Sequence, residues 1–245
     1  MSEELEILIR KADKLKAELA SKTIAPDALD AYQERFLYEN IYNSAAIEGN
    51  SLTLDEVKEI LSNNVVIPGK SLSDHLGVVG LRDASLQARK YLDAGTRITE
   101  HEIRKLHYMA LIDQQALSGE YRSYNVMIRG HRPTSYEKIP YKMLQLVESK
   151  PSEDKHPIES IAFFHLRLEK IHPFGDGNGR VGRLLINLML EEAGFPGVIF
   201  NADIKQRYYE ALEDYDGLRG NPRVTSMQIL LAELVVAELE TLLAL

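Results

Sequence analysis

The sequence predicts a mainly α-helical protein carrying one short β-hairpin, and three observations support that class. Apolar residues recur at the three-four spacing of amphipathic helices along most of the chain. Thr53-Leu-Asp-Glu56 and Thr99-Glu-His-Glu102 each fit a capping box, so helices start near residues 54 and 100. One segment breaks the helical period. Between Gly119 and Thr134, Val126 and Ile128 alternate with Met127 and Arg129, and Gly130 and Pro133 break the chain just beyond, the pattern of a short extended or hairpin segment.

Taken in order, Leu5, Leu8, Ala12, Leu15 and Leu19 line one face of a first helix that is too short for a dependable coiled coil and is ended by Pro26. A second helical run leads from about Tyr32 to Glu48, where Gly49 stops it. After the helix that opens at residue 54, Asn63-Asn64 and Pro68-Gly69 mark a loop. Ile161, Phe164, His165, Leu168 and Ile171 form the apolar face of a helix that runs into His172, and His165 is read there as a packed or hydrogen-bonded core residue. Helical spacing resumes at Val181, Leu184, Leu185 and Leu188. A helix from about Asp203 carries Tyr208 and Tyr209; adjacent helical positions cannot both face one site, so at least one ring belongs to the core. Residues 224–245 form a Leu- and Val-rich helix that is buried or in a subunit contact.

With 245 residues and no linker, repeat or low-complexity run, the chain is expected to form one compact unit. Residues 1–52 supply N-terminal helices that pack onto a catalytic domain and C-terminal helices over 53–245. A net charge of −8, from 29 Lys and Arg against 37 Asp and Glu, argues against direct nucleic-acid binding. The absence of Cys excludes disulfides and thiolate chemistry. No signal peptide or apolar run of about 20 residues is evident, so a cytoplasmic protein without a membrane partner is the default expectation.

The chemistry concentrates in residues 172–183, His-Pro-Phe-Gly-Asp-Gly-Asn-Gly-Arg-Val-Gly-Arg. Gly175, Gly177 and Gly179 let successive backbone N–H groups turn toward one anion, and the helix after them adds its free N–H groups and positive dipole end. His172 is of the residue type that suits a general base. Asp176 is a hard oxygen donor suited to Mg²⁺. Arg180 and Arg183 stand three apart, where planar forks can hold phosphate. Phe174 is expected to point inward and anchor the loop.

This string resembles the signature of Fic-domain proteins, His-x-Phe-x-(Asp/Glu)-Gly-Asn-Gly-Arg-x-x-Arg, at every fixed position. The resemblance implies a Fic-type helical bundle with a hairpin flap, and transfer of AMP from ATP to a Ser, Thr or Tyr hydroxyl of a target protein. It further implies His172 as base, Asp176 as the Mg²⁺ ligand, Gly177, Asn178 and Gly179 around the β-phosphate, and Arg180 and Arg183 as triphosphate ligands. Tyr208 and Tyr209 become candidates for lining the adenine. Ser44-Ala-Ala-Ile-Glu48-Gly49 resembles the family's inhibitory motif, (Ser/Thr)-x-x-x-Glu-(Gly/Asn). Glu48 would then pair with Arg183 and occupy the place of the γ-phosphate, which slows AMP transfer; in related proteins the same Glu can also position water to remove AMP. The segment from Gly119 to Thr134 resembles the flap, where Val126, Met127, Ile128 and Arg129 would pair with an extended stretch of target. Relatives with this layout often form homodimers, and the apolar C-terminal helix offers one surface for that.

Three other functions fit the same residues. The site can transfer phosphate or another nucleotide-derived group if the nucleotide is relocated. His165, His172 and Asp176 can be read as the metal cluster of a phosphoester hydrolase, since a spacing of seven places both His on one side of a helix. A nucleotide-binding regulator that never turns over, held shut by Glu48, is the third.

Overall fold

Local end signals set most of the helices. The computed structural model describes residues 2–114, 118–128, 130–149 and 155–245. Helix α1 spans Glu3–Ser21, and Ser2 Oγ caps it by accepting from Leu5 N–H at 3.3 Å. Helix α2 spans Pro26–Ile47. Pro26 therefore opens α2 instead of ending α1, because its fixed φ and missing N–H suit the first helical position. The second helix begins earlier than the expected start near Tyr32. Both capping boxes form: Thr53 starts α3 at Leu54–Asn63 and Thr99 starts α5 at Glu100–Ala110.

Between them lies α4, Leu72–Asp93, which no cap or periodicity read from the sequence announced. Gly77 and Gly80 sit inside it, where glycine disfavours a helix. Packing explains Gly80: a Cβ there would lie 2.6 Å from the Met109 carbonyl oxygen of α5. Helices α6 (Ile139–Glu148), α7 (Pro157–Ile171), α8 (Asn178–Glu192), α9 (Lys205–Asp216) and α10 (Thr225–Leu243) complete the order.

Two apolar clusters meet along α7 and α8. Val181, Leu184, Leu185 and Leu188 of α8 join a cluster with α2 to α6, whereas Ile186 and Leu190 join a second with α1, α9 and α10. A helix buried on nearly every side is central by necessity, and α8 holds the string 172–183 between the two cores. Helix α10 packs against α1, α7 and α9, and Leu5, Ile9 and Ala12 of α1 are buried in the same cluster. Most of its apolar face is thus filled internally.

The expected hairpin shrinks to one antiparallel bridge between Ile128 and His131, turned by Gly130 at φ 82°. Among the described residues there is no longer strand, since Tyr124 and Met127 face solvent with no strand opposite them. Arg129 lies outside the described residues.

Candidate active site

His172 is the C-cap of α7, with φ 48° and ψ 63°, a left-handed conformation that a non-glycine residue adopts at a cost of about 1–2 kcal/mol. Its surroundings hold it there. His172 N–H donates to the Leu168 carbonyl at 2.8 Å, and the buried Arg122 donates from Nε to the His172 carbonyl at 2.8 Å. Arg122 also donates to the carbonyls of Tyr124 at 2.6 Å, Ile171 at 3.3 Å and Thr134. Its own N–H reaches the Pro173 carbonyl at 2.9 Å. One guanidinium therefore ties the flap segment to the end of α7.

The loop beyond His172 is shaped by Asn178, whose Oδ1 accepts from Phe174 N–H and whose Nδ2 donates to the Phe174 carbonyl, both at 3.0 Å. The side chain of Asn178 thus builds the loop, leaving its backbone N–H for an anion. Gly177 takes φ 75° as N-cap of α8, and the helix's first bond runs from Val181 N–H to the Gly177 carbonyl at 3.1 Å. The N–H groups of Asn178, Gly179 and Arg180 precede that bond and are the orphan donors of a helix start.

Phe174 is buried and stacks on His107 with ring centroids 3.7 Å apart. Gly119 N–H donates to His107 Nδ1 at 2.8 Å, so Nε2 carries the ring proton and donates to the Asp176 carbonyl at 2.9 Å. Burial lowers the His107 pKa to about 4, with the Arg180 charge acting in the same direction, so this tautomer is neutral. The Asp176 carboxylate accepts from Gln114 at 2.7 Å, Arg180 at 2.9 Å and Gly177 N–H at 2.6 Å. Burial would raise its pKa, but the Arg180 charge and these donors hold it below the usual carboxylate range.

Arg183 does not share Arg180's partners. It is buried, and donates from Nε to Ser44 Oγ at 3.1 Å, from Nη2 to the Ser44 carbonyl at 2.9 Å and from Nη2 to Glu48 Oε1 at 2.8 Å. Glu48 is the C-cap of α2 and Gly49 follows at φ 93°. Its carboxylate lies across the α8 N-terminus, because a Cβ on Gly179 would be 2.5 Å from Glu48 Oε1. Burial works against the Arg183 charge, yet Glu48 keeps its pKa raised.

His165 is fully buried, its Nε2 pairs with Tyr208 Oη at 2.8 Å, and burial lowers its pKa to about 4. It is the core residue expected, and Tyr208 is the buried one of the two adjacent tyrosines. His165, His172 and Asp176 do not converge. Among the described residues no three His, Cys, Asp or Glu side chains are placed to hold a metal together.

Two clefts open on this arrangement. The first is lined by His172, Glu169, Arg183, Tyr208, Tyr209, Ile128 and Glu48. The second is lined by Asp176, Arg180, Gln114, Asp113 and Asp74, again with Glu48. Glu48 is the residue common to both, standing between base and metal-ligand candidate. Val126 and Met127 do not line the first cleft. Arg122, His107, Gln114 and Glu169 were missed from the sequence; Glu169, three residues before His172, alone had a local signal in its spacing.

A helical frame thus aims an orphaned helix N-terminus, two guanidiniums and an imidazole at two clefts that share Glu48, a set of groups suited to phosphate oxygens. The model of the Fic/DOC family matches residues 97–190, and the chain belongs to that family. It is 39% identical over 180 residues to the protein adenylyltransferase Fic of Nematostella vectensis, covering 71% of this chain and 42% of the relative. The protein adenylyltransferase Fic of Drosophila willistoni is 33% identical over 209 residues, covering 82% and 41%. The chain therefore spans about two fifths of the length of these relatives. Among solved structures, Fic-1 (aa134–508) from C. elegans superposes with a TM-score of 0.86 at 28% identity, over 98% of this chain and 72% of that one. A Fic-domain-containing signalling protein from Bacteroides thetaiotaomicron gives 0.83 at 26% identity, over 98% and 95%.

Proposed function

We propose that this chain is a self-inhibited protein adenylyltransferase that moves AMP from ATP to a hydroxyl of a target protein. The observation that carries the reading is the Glu48–Arg183 pair at 2.8 Å laid over Gly179, between the cleft of His172 and that of Asp176 and Arg180. A triphosphate bound along the α8 N-terminus needs both clefts at once, and a carboxylate between them repels its anionic end. Relatives named protein adenylyltransferase support the AMP-transfer part.

In this reading His172 takes the proton of the acceptor hydroxyl, the backbone N–H groups of Asn178, Gly179 and Arg180 receive phosphate oxygens, and Arg183 turns from Glu48 to the nucleotide. Asp176, whose side chain is 45% exposed and offers oxygen alone, fits Mg²⁺ in company with phosphate oxygens. That ion supplies charge neutralisation on the leaving phosphates. Tyr209 and Ile128, which line the His172 cleft, would flank the adenine, and the flap segment at Val126, Met127 and Ile128 would receive the target. Glu48 also faces the His172 cleft, which positions it to orient water for AMP removal from a modified target.

The test uses wild type, Glu48→Gly and Glu48→Gly with His172→Ala, each incubated with Mg²⁺ and ATP labelled separately at the α- and γ-phosphates, followed by intact-mass analysis. The expected result is α-label with one added AMP mass on the single variant, roughly 10- to 100-fold above wild type, as an opposing charge-assisted contact of about 1.5–3 kcal/mol implies. Label from the γ position would make the protein a phosphotransferase. No label on any variant would favour a non-catalytic nucleotide-binding regulator.

A further inference from the structure

Glu169 lies one helical turn before His172 on α7 and faces the same cleft. Its Oε2 is 3.6 Å from His172 Nδ1, with the two side chains 12% and 15% exposed. Its Oε1 is buried and has no hydrogen-bond partner. A carboxylate so placed is costly to keep ionised unless cations or proton donors surround it. Burial pushes the Glu169 carboxyl up, and His172, His165 and Arg183 together hold it below its ordinary range, so it is charged at neutral pH. Of these, His165 has Nε2 directed to Tyr208, and Arg183 reaches Ser44 and Glu48. His172 is thus the neighbour whose ring nitrogen approaches Glu169 most directly.

An imidazole base works through one nitrogen while its other nitrogen fixes tautomer and orientation. With Nδ1 turned toward Glu169, Nε2 is left for the acceptor. We propose that Glu169 is the positioning residue of His172: its carboxylate keeps the ring proton on Nδ1, presents Nε2 as the base and stabilises the imidazolium formed when Nε2 takes a proton. The inference rests on the AMP-transfer reading. In that step the acceptor oxygen bonds to the α-phosphorus, its proton passes to Nε2, the bond from the α-phosphorus to the bridging oxygen breaks, and pyrophosphate leaves with that electron pair. Glu169 exchanges no atom. At 3.6 Å the contact is electrostatic, and it closes to a hydrogen bond as the ring becomes charged.

The test combines nitrogen spectroscopy with kinetics. In ¹⁵N-labelled wild-type protein at neutral pH, the neutral His172 ring is expected as the Nδ1–H tautomer, shifting toward Nε2–H in Glu169→Gln. A wild-type Nε2–H ring, or a tautomer indifferent to residue 169, overturns the proposal. Kinetics in the Glu48→Gly background supply the second readout. Glu169→Gln is expected to lower kcat about 10- to 100-fold with KM for ATP changed less than about threefold, and Glu169→Asp to recover part of kcat. Unchanged kcat, or a loss seen mainly in KM, overturns it as well. If Glu48→Gly transfers no label, the AMP-transfer reading fails, while the spectrum still reports separately on the contact between Glu169 and His172.

Discussion

Four carbonyl oxygens, those of Tyr124, Thr134, Ile171 and His172, converge on the guanidinium of Arg122. Replacing it by Ala strands those acceptors in a buried place and frees the left-handed turn at His172. Arg122→Ala is expected to cost about 2–4 kcal/mol, read as a lowered denaturant midpoint, and to reduce label transfer in the Glu48→Gly background. Neither this role nor that of His107 or Gln114 was legible in the sequence. Arg122 meets His172 across 50 positions, and Gln114 meets Asp176 across 62, so no local pattern links them. The contiguous string 172–183 could be read as one unit because its histidine, aspartate, glycines and arginines follow one another along the chain, and the structure gathers them around the start of α8. Even there, residue types misled on details: Asn178 directs its side chain to Phe174, and the two arginines that looked like one clamp hold different carboxylates.

The element that organises the site is α8, and sterics fix the residue at its start. Gly177 holds φ 75° with a would-be Cβ only 2.2 Å from Leu111 Cδ1. Gly177→Ala therefore meets both backbone strain and collision, and a loss of about 2–4 kcal/mol in unfolding free energy is expected from thermal or denaturant melts. Gly80→Ala makes the matching prediction for the α4 and α5 contact, a cost of about 2–3 kcal/mol although Ala is the better helix former. A gain in stability there would show that the two helices separate easily. Capping boxes revealed α3 and α5 because that signal is local, whereas α4 was hidden: its glycines serve a neighbour that the sequence does not display. Pro26 misled for a related reason, since proline both ends one helix and starts the next.

For the molecule as a whole, two fully buried imidazoles make stability depend on pH. His107 and His165 both have folded pKa values near 4 against an ordinary 6.5, so the unfolded chain takes up protons first as pH falls. Their contribution is complete above about pH 6.5 and is lost as pH falls toward 4, up to roughly 3 kcal/mol for each group. Denaturant midpoints measured from pH 7.5 to 4.5 are expected to fall with a slope approaching two protons, and His107→Gln to remove about one of them. A flat profile would mean that these rings take up protons equally in the folded and unfolded chain, so that burial does not depress them. Helical class and motif placement were readable at this scale from periodicity, but the division into two cores was not, because α8 presents apolar residues to both sides.

The carboxylate of Glu48 is one third exposed, while the rest of α2's hold on Arg183 runs through Ser44, by hydroxyl and carbonyl. The Glu48 contact therefore depends on a single rotamer, and no helix has to undock for it to break. Side-chain rotation is a fast motion, so in the proposed reading the contact would break and re-form many times within one turnover. Against a contact of about 1.5–3 kcal/mol, the open fraction is roughly one in a hundred to one in ten. Under the proposed function, that fraction would set a low, steady basal rate, and a ligand or partner would need only to outcompete one carboxylate to raise it.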